Sequence, residues 1–172
     1  MASSSPFRSL ASAAVAVTLL SIAVPASADT NEPDGQHLWL TTGFVSRHVG
    51  SGNTGRYNEK NGGLGIEVAL DEDWRLAAGA YRNSMRQHSR YAQAVWSPEF
   101  TRARRGDWKF SLGAALGVVD GYPAMRHGGF FPTVLPVASV EWRRVGVNLT
   151  YIPSLAGNVT GAFALQLKLA VF

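Results

Sequence analysis

The 172-residue sequence has no cysteine, only 16% charged residues and a single long apolar run. Without cysteine no disulfide staples the chain, and the residue that best reports redox compartment is silent. The formal charge of +4 is too small to imply a nucleic-acid partner. The four histidines include no pair at metal-ligand spacing, so neither a metal nor a cofactor is expected.

The one long apolar run, Leu10 to Val24, follows Arg8 and precedes Ala26-Ser27-Ala28. That order reads as a secretory signal cleaved after Ala28, and the run is too short for a comfortable membrane span. Residues 1–28 are therefore expected to be a signal peptide and 29–172 a single domain. Nothing after Ala28 approaches the roughly 18 apolar residues of a transmembrane helix.

What is present instead is alternation with a period of two. "GGLGIEVAL" sets Leu64, Ile66, Val68 and Leu70 against Gly63, Gly65, Glu67 and Ala69. "WKFSLGAALGVV" sets Trp108, Phe110, Leu112, Leu116 and Val118 against Lys109, Ser111, Gly113, Ala115 and Gly117. One face is large and apolar, the other small or polar. Which face looks outward is not written in the pattern.

About eight such runs occur, at 38–48, 62–70, 74–82, 89–97, 108–118, 133–142, 146–152 and 162–171, which suits an all-β, eight-stranded antiparallel transmembrane β-barrel. Connections after the first, fifth and seventh runs are long, and those after the second and sixth are tight, as outer loops and periplasmic turns alternate in such barrels. "PEFTRARRGD" is long for a periplasmic turn. Trp39, Trp74, Trp96, Trp108 and Trp142 lie near run ends, as an interfacial girdle requires. Small inward residues such as Gly63, Gly65, Gly79, Gly113 and Gly117 are expected to leave an acyl-sized slot, far too narrow for a porin channel.

With the first strand rising, the polar bend "RNSMRQHS" sits at the outer rim with His48. A histidine there can take a proton from a serine or lipid hydroxyl, and a neighbouring amide can orient it or steady an oxyanion. His48, Asn83 and Ser84 are the economical choice; His88 and His127 compete, and His37 falls at the other end. Arg47, Arg56, Arg82, Arg86 and Arg90 share the rim, and guanidinium forks suit the phosphates of an outer-leaflet glycolipid. Pro136 and Pro153 each lack an N–H and weaken strand pairing.

Several segments resemble the outer-membrane lipid A palmitoyltransferase (PagP) family: "RYNEKNGGLG" at 56–65, "GAYRNS" at 79–84, "FSLGAALGV" at 110–118, "VLPVASV" at 134–140 and "NLTYIPSLAGNV" at 148–159. The resemblance implies an outer-membrane barrel of a Gram-negative bacterium, a monomer without cofactor, that moves a palmitoyl chain from a phospholipid donor to lipid A. By position its serine falls on Ser84 and its aspartate on Asn83. Its histidine falls on His48 only if the first loop is shortened, since the family's spacing lands on Phe44. An Asn83→Asp change is then expected to keep activity. The family's similar prolines mark lateral openings for acyl chains, here Pro136 and Pro153, while its N-terminal amphipathic helix has no room in "DTNEPDGQHLWL". The alternatives are a lipid A deacylase on a similar barrel and a structural barrel without activity, the latter favoured by Asn83.

Overall fold

The computed structural model describes residues 38–49, 56–154 and 159–171; the expected signal peptide, His37 and Phe172 lie outside them. Nine strands follow in chain order: β1 Leu38–His48, β2 Lys60–Ala69, β3 Trp74–Arg82, β4 His88–Trp96, β5 Arg102–Arg105, β6 Trp108–Val119, β7 Phe131–Trp142, β8 Val145–Ile152 and β9 Ala162–Ala170. Each long strand pairs antiparallel with its neighbours, β1 joins β9, and β4 joins β6 from Tyr91↔Val119 to Trp96↔Ala114. The result is a closed eight-stranded barrel. Closure gives every long strand a partner on both sides and so satisfies the backbone along most of its length.

The short β5 explains the long connection. It pairs only with the start of β6, Arg102↔Ser111 to Arg105↔Trp108, below the point where β4 stops. "PEFTRARRGD" is thus a folded hairpin arm.

The large apolar face is the outer one. Leu64 is 77% exposed, Val134 65% and Leu112 59%, values that suit lipid and not a water-soluble surface. Trp74 stacks on Trp96 and Trp108 on Trp142, all at the end of the barrel that carries the tight turns, forming half of an interfacial girdle. Trp39 departs from the expectation: it is buried inside the barrel under the Lys168 ammonium, 4.8 Å from the ring centre. Its strand parity, shared with Thr41, points it inward.

Inside, the turn-end half is filled by charge. Lys168 Nζ stands 2.7 Å from both Glu67 Oε1 and Glu141 Oε1, and Arg75 bridges the same two carboxylates. Asn148 donates to Glu67 at 2.9 Å, and Ser139 donates to Asn148 at 2.8 Å. Two acids and two bases cancel, and added hydrogen bonds offset the cost of burying them. The loop-end half is different, because an open cavity occupies it.

Candidate active site

The cavity, of about 290 Å³, runs from the rim down to the charge network and is lined among others by Phe44, His48, Ser84, Tyr122, Phe131 and Ala164. Its size lies at the small end of ligand sites. The glycines expected to leave this slot open do not line it. A Cβ on Gly65 would meet the Tyr91 hydroxyl at 2.6 Å, and one on Gly79 would meet the Tyr91 ring at 2.8 Å. The small residues of β2 and β3 make room for the Tyr91 ring, and the free space lies beyond it.

His48 reaches the cavity through an irregularity in β1. On the β9 side the register jumps from Thr41↔Lys168 to Phe44↔Gln166, so β1 carries one extra residue. A Cβ on Gly43, within this bulge, would stand 2.0 Å from the Asn61 carbonyl oxygen, which admits only glycine. Below the bulge Trp39 and Thr41 point inward; above it the parity reverses, and Phe44, Ser46 and His48 all line the cavity. Val45 and Arg47 face outward. The exposed Arg47 marks the end of the apolar band on β1, so His48 stands at the rim above it.

Ser84 arrives from the β3–β4 bend, which Asn83 organises. Asn83 is fully buried. Its Oδ1 accepts the N–H groups of Met85 at 2.9 Å and Gln87 at 3.0 Å, while Nδ2 donates to Ser89 Oγ at 2.9 Å and the Gly121 carbonyl at 2.8 Å. Two backbone donors aimed at one atom fix that atom as oxygen. The amide is fully used in shaping the bend and tying it to Ser89 of β4 and to Gly121 after β6, and it does not line the cavity, whereas Ser84 does.

One short segment joins the two candidate residues. The His48 ring stacks on Tyr57 with centroids 4.2 Å apart, and the next residue, Asn58, donates its N–H to the Ser84 carbonyl at 2.8 Å. Among the described residues His48 Nδ1 is buried without a hydrogen-bond partner. Burial lowers the His48 pKa from the ordinary histidine value, with Glu59 acting in the opposite direction. A neutral imidazole that lines the cavity can accept a proton from a bound hydroxyl.

The five arginines all lie at the loop end, and several are already engaged. Arg90 grips Asp120 through Nε at 2.9 Å and Nη2 at 2.6 Å and covers the Phe130 ring at 5.1 Å. Arg47 stands 3.6 Å from Glu59, and Arg82 donates to the Arg86 carbonyl at 3.2 Å. Arg56 and Arg86 are exposed. The competing histidines, His88 and His127, are exposed and do not line the cavity.

Pro136 sits where a ladder ends. β7 pairs with β6 over its whole length, yet its pairing with β8 stops at Val137↔Thr150. The five β7 residues from Pro132 to Pro136 face a gap on the β8 side, and Pro132, Thr133, Val134, Leu135, Thr150 and Pro153 line the cavity there. Sequence reading missed the charged floor, although Glu67 and Lys168 each stand alone at small-face positions of apolar runs. It places Tyr57 and Tyr122 at the rim without giving them a role and does not single out Tyr81; Tyr81 and Tyr122 share a hydroxyl–hydroxyl bond of 3.0 Å at the cavity wall. Burial raises the pKa of Tyr122, so it remains a neutral phenol.

A closed barrel with an apolar outside, a charged floor and a polar rim over an internal cavity defines the class of eight-stranded outer-membrane barrels. Residues 29–166 match the family described as antimicrobial peptide resistance and lipid A acylation protein PagP. The chain belongs to that family. Similar curated proteins include the lipid A acyltransferase PagP of Dickeya zeae, 30% identical over 118 residues, covering 64% of this chain and 52% of that protein. The protein of the same description from Shigella boydii serotype 4 is 34% identical over 117 residues, covering 64% of this chain and 61% of that protein. The chain thus spans little more than half the length of these relatives. Among solved structures, outer membrane protein H (OprH) of P. aeruginosa in DHPC micelles shares 14% identity, covers 77% of this chain and 98% of that chain, and has a TM-score of 0.44. That likeness is too distant to add to the strand pairing itself.

Proposed function

We propose that the protein sits in the outer membrane and transfers an acyl chain of palmitoyl type from a phospholipid to lipid A. The observation that carries this reading is the meeting of His48 and Ser84 over one cavity that opens sideways beside Pro136. A donor chain enters through the β7–β8 gap and lies in the cavity with its ester at the rim. His48 takes the proton of the acceptor hydroxyl as that oxygen attacks the ester carbonyl. Ser84 donates a hydrogen bond to the developing oxyanion. The intermediate collapses, breaks the donor C–O bond and expels the donor alkoxide, which recovers the proton from His48; one ester is exchanged for another and no cofactor is consumed.

Asn83 holds the bend that presents Ser84 and is a positioning residue. Arg56 and Arg86, exposed at the same end, are matched to lipid A phosphates, joined by Arg47, Arg82 and Arg90 once their present partners are exchanged. Pro136 and Pro153 keep the lateral opening. The protein acts as a monomer.

Mass spectrometry of lipid A from cells with and without the gene tests the reading. Gain of one acyl chain supports transfer; loss of a chain identifies a deacylase; an unchanged spectrum leaves a structural barrel.

A further inference from the structure

A base that moves a proton needs its ring held in one plane, and a hydrogen bond to the second nitrogen is the common way to hold it. His48 Nδ1 has no such partner among the described residues. Asn83, the neighbour whose amide could serve, spends it on Met85, Gln87, Ser89 and Gly121. The carboxylate of Glu59 stands 3.6 Å from Arg47 and pairs with that guanidinium.

What touches the ring is Tyr57. Its phenol lies face to face with the imidazole, centroids 4.2 Å apart and planes 19° apart. Tyr57 is itself held on two sides, because its hydroxyl shares a 3.0 Å hydrogen bond with Thr160 Oγ1 and the next residue, Asn58, is fixed by its N–H to the Ser84 carbonyl and by its side chain to the Lys60 carbonyl at 2.9 Å. Val49 N donates to Gly161 O at 2.8 Å, so the strand end that carries His48 is tied to the same β8–β9 connection. A contact on the ring face fixes the plane and uses neither nitrogen. His48 and Thr160 line the cavity and Tyr57 does not, so Tyr57 acts through the imidazole and not on the lipid.

We propose that Tyr57, latched to Thr160, is a positioning residue that holds the His48 imidazole for proton transfer in the place of a hydrogen-bonded carboxylate or amide; this inference rests on the acyl-transfer reading. Loss of the stack lets the ring turn away from the acceptor hydroxyl. A misplacement of about 1 Å can cost roughly 10²-fold in rate.

The test uses the full barrel folded in deuterated detergent micelles, with transfer from a palmitoyl phospholipid to lipid A followed by mass spectrometry and the His48 ring protons followed by NMR, assigned by their loss in His48→Ala. In the unaltered protein those protons should be shifted upfield by the Tyr57 ring; an unshifted resonance overturns the stack, whether or not any variant folds. Tyr57→Leu should lower kcat by ~10–100-fold with KM little changed. It should also raise the His48 pKa toward the ordinary histidine value, because burial is the main cause that lowers it and Glu59, which acts in the opposite direction, is left in place. Tyr57→Phe keeps the ring and should restore the pKa and bring kcat to within about fivefold of the parent, the loss of one hydrogen bond. Thr160→Val should match Tyr57→Phe, and the two combined should be no worse than either, since both break one latch. Parental kcat and pKa in a folded Tyr57→Leu, or a Tyr57→Phe as impaired as Tyr57→Leu, overturns the positioning role; a raised KM at unchanged kcat overturns it too, by making Tyr57 a lipid contact. Absence of transfer by the unaltered protein removes the acyl-transfer reading instead, and the ring shift and pKa then decide by themselves whether Tyr57 holds His48.

Discussion

The two halves of the barrel interior solve the same problem in opposite ways. In the turn-end half, Glu67, Arg75, Glu141 and Lys168 bond to one another, and Asn148 joins them through Glu67. Among the described residues the buried polar atoms without a partner are Thr41 Oγ1 in the turn-end half and Ser46 Oγ, His48 Nδ1 and Asn61 Oδ1 in the loop-end half. The network closes the turn-end half, and the cavity leaves the loop-end half open to a ligand. The contrast teaches that neither burial of a polar group nor a missing partner is by itself a sign of function, since Thr41 Oγ1 lacks a partner beside the closed network; side chains that line the cavity are the better guide.

The sharpest way to break the comparison is to remove chemistry from the open half. His48→Ala and Ser84→Ala should each lower acyl transfer by ~10²–10⁴-fold while the barrel still folds, read as loss of product with retained heat-modifiable migration on gels. Because burial holds the His48 pKa below its ordinary value of about 6.5, its neutral form persists to lower pH. Activity should therefore fall only below that pH, and a midpoint above it would remove His48 as the base. His88→Ala serves as the control, since an exposed substitution changes stability by about 0.5 kcal/mol or less and should leave the rate unchanged.

Removing charge from the closed half should act on stability. Lys168→Met leaves Glu67 and Glu141 facing each other with only Arg75 between them. A buried pair broken in this way costs about 3–5 kcal/mol, measurable as a lower urea midpoint in micelles. An unchanged midpoint would show that the network contributes nothing to the fold.

Asn83→Asp separates positioning from chemistry. The sequence resemblance led to the expectation that a carboxylate here preserves activity. The hydrogen bonds point the other way: aspartate keeps the two acceptor roles but loses both donor roles and faces the Gly121 carbonyl oxygen. The variant should lose about 1–3 kcal/mol of stability, with activity lost in parallel. Higher activity with a stable bend would restore the carboxylate reading.

Pro136→Ala gives the smallest effect. An alanine N–H lets the β7–β8 ladder extend past Val137, and opening one ladder bond of about 1 kcal/mol slows transfer by roughly fivefold. Transfer at the parental rate in a folded variant would dissociate Pro136 from chain entry.

Much of the barrel was legible because strand period and strand count are local properties. The eight runs coincide with β1–β4 and β6–β9 to within two residues at each end, and the long and short connections alternate as read. β5 escaped notice because "RARR" has no alternation and pairs only with β6. Ser84 could be placed at the rim from the end of a strand, but the work of Asn83 could not, since its partners Ser89 and Gly121 come from β4 and the β6–β7 loop. The charge floor was equally hidden: Glu67, Arg75, Glu141 and Lys168 come from four different strands.

Alternation along the chain therefore determined that there would be a barrel with one large apolar and one small polar face. Only closure of the sheet decided that the large face meets lipid, because that choice depends on what surrounds the strand. The bulge at Gly43 is the clearest case of the division. A strict period of two would put His48 on the same face as Leu38 and Leu40, toward lipid. One extra residue, accommodated where the Asn61 carbonyl crowds Gly43 against β2, reverses the parity of everything above it and turns His48 inward. The glycine is written in the sequence; the neighbouring strands that force the bulge exist only in the fold.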